Sequence, residues 1–306
     1  MQTRRSRTLR SDSLLLITSA IWGLAFVAQR VGMEYIGPFL FNGVRFALGA
    51  AVLLPFVLFF QTTSVTSAGW SFLYRPLHLK AGILAGSVLF LGASFQQVGI
   101  VYTTAGKAGF ITGLYVILVP ILGLLGGRRT DPEAWMGALL AVVGLYFLSV
   151  TENWTISRGD VLVFISAIFW AIHVHIIDRF TVQVPSLPLA HVQFLTCALL
   201  SLLVAVWVEP LQGGALLLAW KPILYAGLFS TGVAYTLQVV AQKEAHPTHA
   251  AILLSLEAVF AALGGWGLLA EVLNARQLLG CSLMLIGMML SQLQITKRFH
   301  DSGGGI

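Results

Sequence analysis

Charge is what this sequence lacks. Of its 306 residues only 10% are Asp, Glu, Lys or Arg, against about 25% in an ordinary soluble domain, and the mean hydropathy is +0.86. That depletion excludes a soluble globular enzyme, a nucleic-acid module and a disordered chain. The net charge of +6 does not restore a nucleic-acid partner, because the Lys and Arg residues are scattered singly and form no basic face. Cysteine is nearly missing: Cys197 and Cys281 lie in apolar runs, which excludes a disulfide framework and offers no metal site. Catalytic signatures are lacking too, with no His-Glu-x-x-His, no Walker loop, no Gly-x-Ser-x-Gly and no aspartate-rich cluster. Neither an enzyme nor a cofactor or metal is therefore expected.

What is present is a ladder of apolar windows. Crossing a hydrocarbon core of ~30 Å takes about 20 mostly apolar helical residues. Windows free of Asp, Glu, Lys and Arg cover 14–29, 46–74, 81–106, 108–127, 134–151, 161–177, 180–208, 222–242 and 277–296, and a tenth, 250–270, is interrupted only by Glu257. The second window is expected to start near Gly37-Pro38, which takes Arg45 inside the helix. Backbone groups in lipid must be satisfied within the segment, so the windows predict helices; a barrel would show short alternating segments. The N-terminal arginines Arg4, Arg5, Arg7 and Arg10 ahead of an apolar run resemble a signal peptide. The run continues to Val31 without a small-residue cleavage pattern, so it reads as a retained first helix.

Orientation follows from the positive charges. One side receives twelve Lys and Arg residues, among them the four N-terminal arginines, Arg128, Arg129, Lys297 and Arg298; the other receives Arg30, Lys107, Arg158, Lys221 and Arg276. Both termini are expected in the cytoplasm, in a multi-pass protein of the cell (cytoplasmic or inner) membrane.

The two halves of the chain repeat each other. Ser19-Ala20-Ile21-Trp22-Gly23 corresponds to Ser166-Ala167-Ile168-Phe169-Trp170-Ala171, Gln97-Val98 to Gln238-Val239, Gly126-Gly127 to Gly264-Gly265, and Gly137 with Gly144 to Gly280 with Gly287. Five helices per half is odd, so the second copy enters the membrane from the opposite side. The expected fold is thus an all-α membrane protein of ten transmembrane helices in two inverted five-helix repeats. A cytoplasmic tail spans 1–12, the first repeat 13–152, the second 157–296, and a second cytoplasmic tail 297–306; Asp301–Ile306 reads as disordered. Inverted repeats are the usual architecture of alternating-access carriers, with the substrate near the midplane.

The pattern resembles the drug/metabolite transporter superfamily, specifically its EamA-type ten-helix permeases and exporters. The resembling residues are Ala20-Ile21-Trp22-Gly23 with Phe26, Gly37-Pro38 with Arg45, Gln97-Val98-Gly99 with Tyr102-Thr103, Leu118-Val119-Pro120, and Leu256-Glu257-Ala258-Val259-Phe260. The likeness runs from about residue 13 to 296. Ala258 is a departure, since the family often has proline after that glutamate. The resemblance implies a central cavity lined by helices 1, 3, 4, 6, 8 and 9, with helices 5 and 10 peripheral. It also implies transport of small metabolites, often amino acids and commonly outward.

Several residues are candidates for the chamber. Trp22 and Trp170 hold matching mid-helix positions, away from the interfaces where tryptophan concentrates; they read as aromatic walls or as interhelical packing. Phe26 and Gln29 share the face of Trp22. His173 shares the face of Trp170 and is a candidate for proton coupling or for satisfied packing, while His175 points nearly opposite, so the two cannot chelate one metal. Glu257 lies about 10 Å along the ninth helix, and an intramembrane acid is a functional hypothesis by default. Its open roles are proton acceptor, contact for a substrate amine, and structural partner of Arg45, His173 or Ser255. Arg45 itself reads as a structural charge that snorkels or pairs with an acid. Gln97 and Gln238 fall toward opposite mouths, where they contact substrate, lock a gate or join helices. Tyr102, Tyr115 and Tyr235 are further candidates, and Pro120 is expected to break helix 4.

This set mixes Trp, Phe, Gln, His and Tyr with one acid, which suits a neutral, zwitterionic or amphipathic small molecule. The function expected is a secondary transporter of such metabolites, with export as the direction the resemblance implies, in contact with the lipid bilayer and with monomer and homodimer both open. The alternatives are a proton-coupled metabolite importer and an intramembrane enzyme on lipid or prenyl substrates. The latter needs clustered acids or a nucleophile with its base at depth, which one glutamate and separated histidines hardly supply.

Overall fold

The computed structural model describes residues 2–62, 75–103, 105–127, 130–149, 157–210, 214–269 and 274–301, and among them every regular element is helical. In chain order the helices are α1 (Gln2–Gly32), α2 (Pro38–Thr62), α3 (Pro76–Tyr102), α4 in two pieces (Ala105–Gly113 and Tyr115–Leu125), α5 (Pro132–Ser149), α6 (Arg158–Thr181), α7 (Ser186–Val208), α8 (Trp220–Leu224, Tyr225–Tyr235 and Thr236–Gln242), α9 in two pieces (Pro247–Ser255 and Glu257–Leu269) and α10 (Ala275–Asp301). A single turn, Ala215–Leu218, precedes α8.

Among the described residues eight helices, α1 to α4 and α6 to α9, are long and apolar enough to cross a membrane. The sequence predicts ten; in α5 and α10 the apolar helical stretches are the shorter Ala134–Phe147 and Ala275–Leu290. Helix also replaces the expected tails in part, since α1 begins at Gln2 and α10 runs to Asp301. Residues 302–306, and the 63–74 portion of the second apolar window, lie outside the described residues.

Local chemistry sets the boundaries. Proline opens α2, α3, α5 and α9, where its missing N–H costs nothing and its φ is already helical. A capping box opens α6: Asp160 N donates to Ser157 Oγ (3.1 Å) and Ser157 N donates to Asp160 Oδ2 (2.8 Å). The α4 terminus is closed by Gly127 at φ 75, a left-handed conformation that only glycine adopts freely. The start of α2 is capped from another helix. Phe39 N and Leu40 N donate to Glu209 Oε1 and Oε2 at 2.7 and 2.9 Å, and a Cβ at Gly37 would fall on that carboxylate. Gly37-Pro38 is therefore a seat for an acid at the end of α7.

Packing brings α3 against α6 and α7, and α8 against α1 and α2. It also sets α4 on α6, α9 on α1, α2 on α7, and α5 on α10. Small residues allow the closest approaches, as membrane helices need without a hydrophobic force between them. A Cβ at Gly144 would lie 2.6 Å from the Gly280 carbonyl oxygen, and one at Gly287 would lie 2.6 Å from the Gly137 carbonyl oxygen. The main core cluster lies where α1 to α4 and α6 to α9 meet and holds Leu89, Phe46, Phe194, Trp170 and Tyr235, while Leu199, Leu203, Val206 and Trp207 of α7 face outward.

Candidate functional site

A cavity lies within the bundle, and the empty space in it together with what opens from it is about 490 Å³. Its walls come from α1 (Trp22, Phe26, Gln29), α2 (Arg45), α3 (Gln96), α4 (Thr112, Tyr115), α6 (Trp170, Val174), α8 (Ser230, Tyr235, Gln238) and α9 (Leu254, Glu257). Six of these seven helices are the ones the family resemblance implies; α2 is an addition, through Arg45 alone.

Two lining helices are broken at the level of the cavity. In α4 the α-helical pattern lapses at Leu114, and in α9 at Leu256, each for one residue. At both points the backbone tightens, with Leu114 N donating to Ile111 O (3.2 Å) and Leu256 N to Leu253 O (3.3 Å). The residue after each break, Tyr115 and Glu257, projects into the cavity. Pro120 is not the break: it lies inside the second piece of α4. Nor does α9 need the proline replaced by Ala258 to be interrupted. Glu257 stands ten residues into its helix from Pro247, about 15 Å along the axis, so it is deeper than the apolar window alone indicated.

The third distortion is in α8, where Tyr225–Tyr235 is π-helical. Bonding from i to i+5 places residues five apart near one face; in an α-helix they would be rotated about 140° from each other. Tyr225, Ser230 and Tyr235 consequently all face α1. The Tyr225 hydroxyl donates to Ile21 O (3.1 Å), Trp22 Nε1 donates to Ser230 O (3.1 Å), and the Tyr235 ring lies 4.6 Å from that of Trp22. Tyr235 is also the hub of the aromatic wall, with Phe46 at 5.8 Å, Trp170 at 6.1 Å and Phe194 at 6.1 Å between ring centroids. The two tryptophans matched in the sequence thus meet on one tyrosine.

The polar groups of the cavity are conspicuous for what they leave unbound. Gln29 Oε1, Arg45 Nη2, Tyr115 Oη, Trp170 Nε1 and Gln238 Oε1 are buried with no hydrogen-bond partner. Glu257 makes no hydrogen bond or ion pair among the described residues. Each buried polar atom left unsatisfied costs about 1–3 kcal/mol, and native proteins keep few of them. Five of the thirteen such atoms among the described residues belong to side chains that line this cavity.

Of the candidate residues read from sequence, Trp22, Phe26, Gln29, Tyr115, Trp170, Tyr235, Gln238 and Glu257 line the cavity. Gln97 and His173 do not. Gln97 is fully buried behind Gln29, whose carbonyl oxygen accepts from its Nε2 at 3.4 Å. His173 is also fully buried, with Nε2 bound to Gln193 Oε1 of α7 at 3.0 Å and its ring edge-on to Trp170. His175 bonds the Val119 carbonyl oxygen at 2.8 Å on α4, away from His173 as the helical spacing requires. Tyr102 is largely exposed. Arg45 is buried within the bundle and meets no acid among the described residues. Gln96, Thr112 and Ser230 were not singled out in the sequence; the first two bond each other, Gln96 Nε2 donating to Thr112 Oγ1 at 3.0 Å.

The ends of the bundle are tied on either side of the cavity. At one end Ser11 Oγ donates to Ala241 O (2.9 Å), and His249 Nε2 meets Asp12 Oδ1 (2.9 Å), joining α1 to α8 and α9. His246-Pro247-Thr248-His249 is accordingly a helix start carrying one half of a tether. At the other end Arg30 Nη1 donates to Ile100 O (2.8 Å), and Thr103 Oγ1 donates to Asp160 Oδ1, joining α1 to α3 and α3 to α6.

Residues 9–150 and 157–293 each match the EamA-like transporter family. A protein of Archaeoglobus fulgidus called "Uncharacterized transporter" is 33% identical, the match covering 94% of this chain and 88% of that protein. The Bacillus subtilis "Uncharacterized transporter YoaV" is 23% identical over 93% of this chain and 97% of its own. The Escherichia coli "Uncharacterized inner membrane transporter YedA" is 24% identical over 88% and 86%. A crystal structure superposes with a TM-score of 0.76 at 20% identity, covering 96% of this chain and 98% of the other; at that identity the likeness is one of fold.

Proposed function

Because the chain belongs to the EamA-like transporter family and is a multi-pass membrane transporter, we propose that it is a secondary carrier that exports small neutral, zwitterionic or amphipathic metabolites, amino acids or their relatives, by alternating access. In this reading ten helices form two inverted five-helix repeats in the cell membrane, with both termini cytoplasmic. The observation that carries it is the cavity at the level of two broken helices, because interrupted helices at corresponding positions of two repeats are where carriers of this kind bind substrate.

Three further observations support the repeat. The breaks at Leu114 and Leu256 fall in the fourth helix of each half, at a separation close to those of the sequence matches. Packing partners exchange between halves: α3 lies on α6 and α7, and α8 on α1 and α2. The α5–α10 crossing is reciprocal, Gly144 facing Gly280 while Gly287 faces Gly137. The tethers at either end of α1 serve as gates, one opening while the other holds.

The test is untargeted. Cells overexpressing the protein are compared with cells expressing a Glu257→Gln variant, and the metabolites gained outside are identified by mass spectrometry. Export predicts a small set that accumulates outside with the wild-type chain; depletion of the medium instead indicates an importer. Purified protein in liposomes under imposed pH gradients then decides coupling: Glu257→Gln abolishes the response if Glu257 carries the proton, and an undiminished response removes that role.

A further inference from the structure

We propose that Arg45 is the anion anchor of the cavity, holding the carboxylate of the transported molecule while its cationic end faces Glu257. The inference rests on the carrier reading above and goes beyond it by assigning the residue that selects the substrate.

Arg45 is 2% exposed, and no carboxylate lies within ion-pair distance of it among the described residues. A buried charge without a counter-ion is costly, and structural arginines escape that cost by pairing or by using most of their donors. Arg45 does neither. Its Nε donates to Asn42 Oδ1 at 2.9 Å, and Nη2 is left with no acceptor. Partial compensation comes from the face of Phe46, 4.8 Å below the guanidinium.

The group is also held still. Asn42 Nδ2 donates to Ala93 O of α3 at 3.1 Å, so the backbone of one helix fixes Asn42 and Asn42 fixes the guanidinium of its own helix. A planar fork held at Nε, with Nη2 buried and unpartnered, on a residue that lines the cavity, matches a carboxylate in geometry and charge once the wall parts to admit one. The acid in the same cavity, Glu257, is likewise free of cations. The two ionisable groups line one chamber yet do not pair with each other. A molecule carrying both a carboxylate and an ammonium group satisfies them together, with its apolar part against Trp22, Trp170 and Tyr235.

The experiment loads proteoliposomes of the full-length protein with an equimolar mixture of the twenty proteinogenic amino acids, or with the corresponding α-carboxamides, and follows efflux by mass spectrometry. The amide keeps the ammonium group and the side chain and removes only the carboxylate. A charge-assisted hydrogen bond is strong enough that its loss slows efflux by about tenfold or more. Wild type is expected to release one or more acids at least about tenfold faster than their amides. Arg45→Gln is expected to lose that preference, and Arg45→Lys to keep part of it. An Arg45 that served only the fold would lower all fluxes together and leave the ratio of acid to amide unchanged. Amides leaving as fast as acids through the wild-type protein overturn the proposal, and that arm does not depend on any variant folding. Retention of the preference in Arg45→Gln overturns it as well. Efflux of amides alone, or of neither acids nor amides, removes the anchor for amino acids and leaves the carrier standing, since the carrier reading is decided separately by the untargeted comparison of exported metabolites.

Discussion

Replacing Gly144 or Gly287 with alanine isolates the contribution of the α5–α10 crossing. The added Cβ would stand 2.6 Å from a carbonyl oxygen of the opposite helix in either case, with Met284 N 2.9 Å away in the first and Ala141 N 3.3 Å away in the second. Ordinary contact begins near 3.4 Å, so the backbones must part by about 0.8 Å, and backbone cannot swing aside as a side-chain end can. Overpacking of this kind costs about 1–3 kcal/mol, against which alanine in a helix returns about 0.5–1 kcal/mol relative to glycine. Each variant is therefore expected to lose on the order of 1–2 kcal/mol. The double variant should lose less than the sum, because the first substitution has already moved the helices apart. Gly109→Ala in α4 is the control, since a Cβ there meets nothing within 4 Å; it is expected to be neutral or to stabilise by up to about 1 kcal/mol. Thermal unfolding of the purified proteins in one detergent measures all four. If Gly144→Ala and Gly287→Ala melt with the wild type, or if Gly109→Ala loses as much as they do, the close crossing is not where the stability lies.

Glu209→Ala should destabilise by about 1–3 kcal/mol in the same assay, because two N–H groups in the first turn of α2 lose a charged acceptor; equal stability of the variant would show that water replaces the cap. Deleting Thr231, whose hydroxyl donates to Ala226 O at 2.8 Å, returns the middle of α8 toward α-helical register and rotates Ser230 or Tyr235 away from α1. Flux is expected to be lost with helix content unchanged by circular dichroism, and intact flux would show that the π-helical alignment is dispensable.

The sequence makes the broad layout readable because lipid enforces it. A run of 20 apolar residues has one cheap conformation, so helices α1 to α4 and α6 to α9 lie where the windows fall. Side-chain direction is readable over short spans, which is why Trp22, Phe26 and Gln29 emerge together on one wall. It fails over longer ones. His173 and Trp170 share a helical face, yet Gln193 of α7 takes the histidine and leaves the indole at the cavity; that partner is distant in sequence and leaves no local signal. Arg45 reads as structural because arginines in membrane helices generally find an acid, and only the tertiary arrangement shows that none is near. The π-helix of α8 has no composition of its own, so the alignment of Tyr225, Ser230 and Tyr235 at intervals of five is legible only after the helix 1 contacts are known.

On the carrier reading proposed above, those local departures bear on the resting orientation. Two identical repeats facing opposite ways would give inward-open and outward-open states of equal energy, whereas net flux follows the solute gradient whatever the balance of the two states. This chain is not that symmetric. The π-helical stretch occurs in α8, while its counterpart α3 is one uninterrupted α-helix. The tethers differ as well: a His249–Asp12 contact and a serine at one end of α1, and an arginine donating to a backbone carbonyl at the other. Each difference of about 1.4 kcal/mol shifts the balance of the two states tenfold. One tether more or less at either end is of that order, since hydrogen bonds to charged groups contribute about 1.5–3 kcal/mol. On that reading the resting orientation is set by the residues in which the proposed repeats disagree, while the cavity between them is set by the residues in which they agree.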